Sequence, residues 1–227
     1  MGAALRPMTV PITIRTGSDR ATLVRRTYTL VFASVLVTMG GAWIGLSQPA
    51  IMGAVMQHPF ITMICTFAPL VAALKLREAF PANLGLVLLF TFVEGLAISP
   101  VLFFYGQKNP GIVTQAALLT GSTFGVLTLY AWVSRRDFSA WGGFFTIGLW
   151  VLIATSLLNL FFRNQTASLW ISGAAVLVFG GLLVFDTWRL RNVFGPNDYV
   201  QAAVTIYLDL LNMFLAILNL LGGRNRD

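Results

Sequence analysis

Residues 167–191 read A-S-L-W-I-S-G-A-A-V-L-V-F-G-G-L-L-V-F-D-T-W-R-L-R, and residues 203–222 read A-V-T-I-Y-L-D-L-L-N-M-F-L-A-I-L-N-L-L-G. Two long apolar runs flank a short polar break, and each carries one aspartate, Asp186 and Asp209. The break is Gly195-Pro196-Asn197-Asp198. It predicts a turn, because proline cannot continue a helix and glycine and asparagine suit a helix end. The pattern is a helical hairpin. Residues equidistant from such a turn lie at similar depth, so the two aspartates meet if the helices pack with the right rotation.

The rest of the chain extends the same theme. Of 227 residues, 57% are hydrophobic and 10% charged. A soluble domain carries about 25% charged residues, so this composition predicts a polytopic all-α membrane protein. The net charge of +7 then follows from topology and anionic lipid headgroups rather than from nucleic acid. Apolar runs near 28–46, 58–76, 82–105, 112–134, 141–162, 167–190 and 200–221 approach the roughly 20 residues a membrane helix needs. Seven spans are therefore expected over 28–222, with a flexible cytoplasmic tail over 1–27 and a short outer tail over 223–227. The first run is too long for a signal-peptide core and is read as a retained span.

Charge sets the expected orientation. With the N-terminus in the cytoplasm, Arg6, Arg15, Arg20, Arg25, Arg26, Lys75, Arg77, Arg135, Arg136, Arg189 and Arg191 lie inside. Lys108, Arg163, Arg224 and Arg226 lie outside. That is a positive-inside bias, with the C-terminus outside after an odd number of spans.

Packing signals are mostly structural. Ala117, Gly121 and Gly125 form a small-residue stripe that lets another helix approach closely. Gly180 and Gly181 permit close approach or loosen the helix before Asp186. Gly95 and Pro100 predict a bend or break in the third span. Cys65 reads as a small core residue and has no cysteine partner in the chain. With one histidine, His58, and one cysteine, no structural zinc site is expected.

Three acids lie within the predicted spans: Glu94, Asp186 and Asp209. A carboxylate in the bilayer costs several kcal/mol, roughly 2.5 or more, unless it is protonated, paired or hydrated. Thr205, Asp209, Asn212, Ala216 and Asn219 recur at helical spacing and share one face of an otherwise apolar segment. That segment is the candidate central helix, and its stripe faces a cavity or a partner helix. Two carboxylates in contact cannot both ionise cheaply, and they titrate as a unit. A shared proton makes a pH-sensitive latch, and its loss leaves an oxygen-rich site suited to a hard cation such as Ca²⁺. Arg77, at the inner end of the second span, is either a topology charge or a counter-ion for an acid nearby. Thr205, Asn212 and Glu94 are candidate pore or secondary-site residues.

The segments A-A-V-T-I-Y-L-D-L-L-N-M-F-L-A-I-L-N-L-L-G (202–222), V-F-D-T-W-R-L (184–190), F-T-F-V-E-G-L (90–96) and G-S-T-F-G-V-L (121–127) together resemble the Bax inhibitor-1 (TMBIM) family, most closely its bacterial YetJ-like and YccA-like members. The resemblance spans about residues 20–222. It implies a seven-helix fold with a central C-terminal helix, no enzymatic activity, and a pH-sensitive calcium leak in the bacterial inner membrane. It implies that Asp186 and Asp209 form the sensing pair and bind calcium transiently, with no resident cofactor, and that Arg77 latches to Asp186. It also keeps a rival open: a non-transporting regulator that binds a membrane protease or the translocon. An intramembrane aspartyl protease is a minor alternative, since residues 206–209 read I-Y-L-D where those enzymes have Gly-x-Gly-Asp. A microbial rhodopsin needs a lysine in its last span, and the only lysines are Lys75 and Lys108.

Overall fold

The computed structural model describes residues 17–76 and 80–224. They form α1 (Gly17–Ser47), α2 (Pro49–Gln57), α3 (Pro59–Lys75), α4 (Ala82–Lys108), α5 (Ile112–Val133), α6 (Trp141–Phe162), α7 (Gln165–Asn192) and α8 (Tyr199–Arg224). Among the described residues there is no strand. Six helices, α1 and α4 to α8, are long and apolar enough to cross a membrane.

The second expected span, 58–76, coincides with α3 but is joined to a short helix before it. The apolar segment there is a bent pair, α2 and α3, that meets at 97° across His58. Pro49 and Pro59 each occupy the first turn of a helix, where a missing N–H costs nothing, so the chain restarts a helix rather than prolonging one. The span count is six, or seven if the bent pair is one span. Of the expected flexible tail over 1–27, residues 17–27 are helical and part of α1. Leu23 and Thr27 are buried on that extension, and Asp19 lies in the first turn, where a negative charge suits the helix dipole. Residues 1–16 lie outside the described residues.

Helix α8 is the centre. It packs on α1, α4, α5 and α7, and half of its apolar window is buried, against 6% for α6. The core follows from its side chains: Val200, Ala203, Ile206, Tyr207, Met213 and Leu218 are all buried. Outward-facing Phe161, Phe162 and Trp170 are about four-fifths exposed, as expected of a wall that meets lipid.

Glycines decide two of the close approaches. A Cβ on Gly95 would strike the Thr38 carbonyl and sit 2.8 Å from the Ala42 nitrogen, while one on Gly41 would strike the Phe92 carbonyl. Gly95 thus serves the crossing of α1 and α4, and α4 runs as one helix through Gly95 and Pro100 with no break. Gly181 receives the Phe145 ring of α6, and α7 continues unbroken past it to Asn192. The Ala117–Gly121–Gly125 stripe does not seat a helix: nothing lies within 4 Å of a Cβ built on Gly121 or Gly125. The buried face of α5 is instead Ile112, Ala116 and Thr120, displaced by one position. Cys65 is exposed on α3 rather than part of the core.

Candidate functional site: a paired carboxyl centre between α7 and α8

The α7–α8 turn is built from its own polar groups. The Gly195 N–H donates to Asp198 Oδ2 at 2.8 Å, and the Ala202 N–H donates to the Asp198 carbonyl at 2.9 Å, which starts α8. This closure brings α8 back along α7. Asp186 and Asp209 then lie as neighbours on the two facing helices, with Thr205 one turn before Asp209. Asp186 is 6% exposed and Asp209 5%.

The pair is asymmetric. Arg189 Nη1 donates to Asp186 Oδ1 at 2.9 Å. The guanidinium also lies 4.5 Å from the ring centre of Phe194 and 5.5 Å from that of Phe185, so two aromatic faces help hold a cation in this half-buried place. Among the described residues, Asp209 Oδ2 is buried with no hydrogen-bond partner, and so are the hydroxyls of Thr27, Thr128 and Thr187. Such groups are costly unless water or an ion completes them. The chemistry available is proton sharing between two carboxyls beside one fixed cation. Among the described residues, no group of three or more His, Cys, Asp or Glu side chains comes together to hold a metal.

Arg77, the expected partner of Asp186, lies outside the described residues. Arg189 was counted above only as a topology charge. Its i,i+3 spacing from Asp186 was the available signal, since such residues are neighbours on a helix. Arg191, counted the same way, donates to the carbonyls of Ala131, Trp132 and Ser134 and so ties α7 to the end of α5.

The other candidates fall in different places. Asn212 donates to the Leu208 carbonyl of its own helix, and Thr205 to that of Ala202. Glu94 is half-buried on α4. The Tyr207 hydroxyl, 2.7 Å from Thr38 Oγ1, links α8 to α1, and Thr38 is also 2.8 Å from the Ser34 carbonyl and 3.0 Å from that of Thr91 on α4. At the far end of the stripe, Asn219 accepts from the Tyr105 hydroxyl at 2.7 Å and donates to Ser168 and Ser172 at 2.9 and 2.7 Å. The stripe therefore faces α7. The role of Tyr207, off the stripe, and the partners of Asn219, within it, were hidden because those partners lie on helices distant in sequence.

This fold, with long apolar helices around a buried polar seam, defines an all-helical integral membrane protein. The family described as "Inhibitor of apoptosis-promoting Bax1" matches residues 20–226. The chain is 33% identical over 210 residues to mouse Protein lifeguard 4, which covers 91% of this chain and 87% of the relative. It is 31% identical over 218 residues to Bax inhibitor 1 of Schizosaccharomyces pombe, covering 94% and 81%. An uncharacterized membrane protein of Vibrio cholerae is 33% identical over 233 residues, covering 97% and 100%. The chain belongs to the Bax inhibitor-1 family.

Proposed function

We propose that this chain is a non-enzymatic, pH-sensitive cation leak, with calcium as the permeant ion and the Asp186–Asp209 pair as its gate. The observation that carries the reading is the pair itself: two buried, neighbouring carboxyls on the two helices of one hairpin, with one oxygen lacking a hydrogen-bond partner among the described residues. One proton on the pair, together with Arg189, makes a centre of zero net charge. Loss of that proton leaves an excess negative charge in a low-dielectric seam, which must separate, hydrate or take up a cation. Each outcome moves α7 against α8, a two-state element biased by pH. Calcium takes 6–8 oxygen ligands, so an ion here keeps much of its water, as suits passage rather than residence. In this reading the protein lies in a bacterial inner membrane with the N-terminus cytoplasmic and the C-terminus outside, and Arg77 remains a candidate second latch.

Calcium flux into liposomes, followed across pH, tests the proposal. Asp186→Asn and Asp209→Asn should each flatten the pH profile, because an amide does not titrate. The double variant should resemble either single one, since the pair acts as a unit. Wild-type profiles in both variants would remove the pair as the gate and make Glu94 the next residue to change.

A second reading, a regulator that binds a membrane protease or translocon, draws on α6. Leu152 is the one buried residue of that helix, so a long apolar wall is free to meet another membrane helix. Co-purification of such a partner that survives the double Asp→Asn change would favour it.

A further inference from the structure

The opposite end of the bundle from the carboxyl pair holds a cavity of about 310 Å³ between α4, the α6–α7 connection and the end of α8. Asn159, Arg163, Asn164, Gln165, Ser168 and Asn219 supply its polar walls, and among the described residues no carboxylate lines it. Arg163 is the residue on which α6 ends, with φ +50°, and its guanidinium has no hydrogen-bond or ion-pair partner among the described residues. The three asparagine oxygens nearby already accept hydrogen bonds. Asn159 Oδ1 accepts from the Asn164 N–H at 3.1 Å, Asn164 Oδ1 from the Ala167 N–H at 3.0 Å, and Asn219 Oδ1 from Tyr105. With their oxygens so used, Asn159 and Asn164 leave their amide N–H groups to the cavity.

A concave site that, among the described residues, holds one cation, amide donors and no acid is matched to an oxyanion. We propose that this cavity binds a phosphate-type oxyanion, with Arg163 as the ion-pairing group and the Asn159 and Asn164 amides as hydrogen-bond donors. Guanidinium and phosphate pair well, often through two parallel hydrogen bonds. Leu160, Phe161 and Phe162 precede Arg163 and are 69%, 81% and 78% exposed, so the cavity adjoins the apolar wall of the bundle. A phospholipid headgroup and free phosphate share the required chemistry, and the first has acyl chains for that wall. The proposal stands apart from the leak reading, because it uses none of the residues of the carboxyl pair.

The full chain, purified in an uncharged detergent, is titrated with inorganic phosphate, and separately with phosphatidylglycerol against phosphatidylcholine. Thermal unfolding and native mass spectrometry are the readouts. Arg163→Gln removes the cation. Asn164→Asp keeps a side chain that caps α7 equally well but places a negative charge in the cavity. Lys108→Gln lowers the charge at the same end of the bundle without lining the cavity. Either the phosphate or the phosphatidylglycerol affinity should fall at least tenfold in both cavity variants and less than twofold in Lys108→Gln. Saturable stabilisation by phosphate alone makes free phosphate the ligand. A response to phosphatidylglycerol alone makes it a headgroup. No saturable binding of either, or an equal loss in Lys108→Gln, would overturn the proposal, and calcium flux in Arg163→Gln tests the leak separately.

Discussion

The pairing of Arg189 with Asp186 lends itself to a double-mutant cycle. Unit charges 2.9 Å apart attract by about 6 kcal/mol at an effective dielectric near 20. Desolvating both groups, ordering the long arginine side chain and residual screening remove most of that, since Arg189 keeps 27% of its side-chain surface exposed. Hydrogen bonds between charged groups retain about 1.5–3 kcal/mol net. Arg189→Gln should therefore destabilise the protein by about 2–3 kcal/mol, because it strands Asp186 beside Asp209. Asp186→Asn should cost less, since it also relieves that contact, and the double variant should lie near Asp186→Asn alone. The assay is reversible unfolding in mixed micelles, with Arg189→Lys as a conservative control. A coupling energy of about 2 kcal/mol is expected. A value below about 0.5 kcal/mol, typical of exposed pairs, would refute the reasoning. A larger coupling of Asp186 to Arg77 would return the latch to the position expected from the family resemblance.

Three further outcomes follow from the packing. Gly95→Ala should destabilise by about 1–3 kcal/mol or more in the same unfolding assay, because the added methyl meets the α1 backbone. Gly121→Ala, where a Cβ meets nothing, should stay within about 0.5 kcal/mol of wild type, as an isolated change outside a packed contact does. Tyr207→Phe should cost about 1 kcal/mol by removing the hydroxyl from the Thr38 network, and unchanged unfolding would show that network to be energetically idle. Topology is read by single cysteines in a Cys65→Ser background: Gln107→Cys should react with an impermeant thiol reagent from outside intact cells and Ser139→Cys should not, and the reverse pattern would invert the orientation.

Composition alone determined the solvent. A chain with so few charges has no way to face water, and runs near 20 residues set where most helices would lie. The polar stripe on α8 was legible because helical periodicity is local, and so was the hairpin, because Gly195 and Pro196 act on their own neighbours. Other features depended on which helices become neighbours. The stripe Ala117–Gly121–Gly125 had the spacing of a helix contact, but α5 buries Ile112, Ala116 and Thr120 instead. The 97° break at His58 turns on how two proline-started helices are held by α4, which packs on both. Arg189 became the partner of Asp186 through a rotamer and two aromatic rings, one of them Phe194 beyond the end of α7. Periodicity specifies which face of a helix is apolar, but rotation and packing about the helix axis decide which polar group meets which. That choice depends on contacts distant in sequence, and tertiary structure alone makes it.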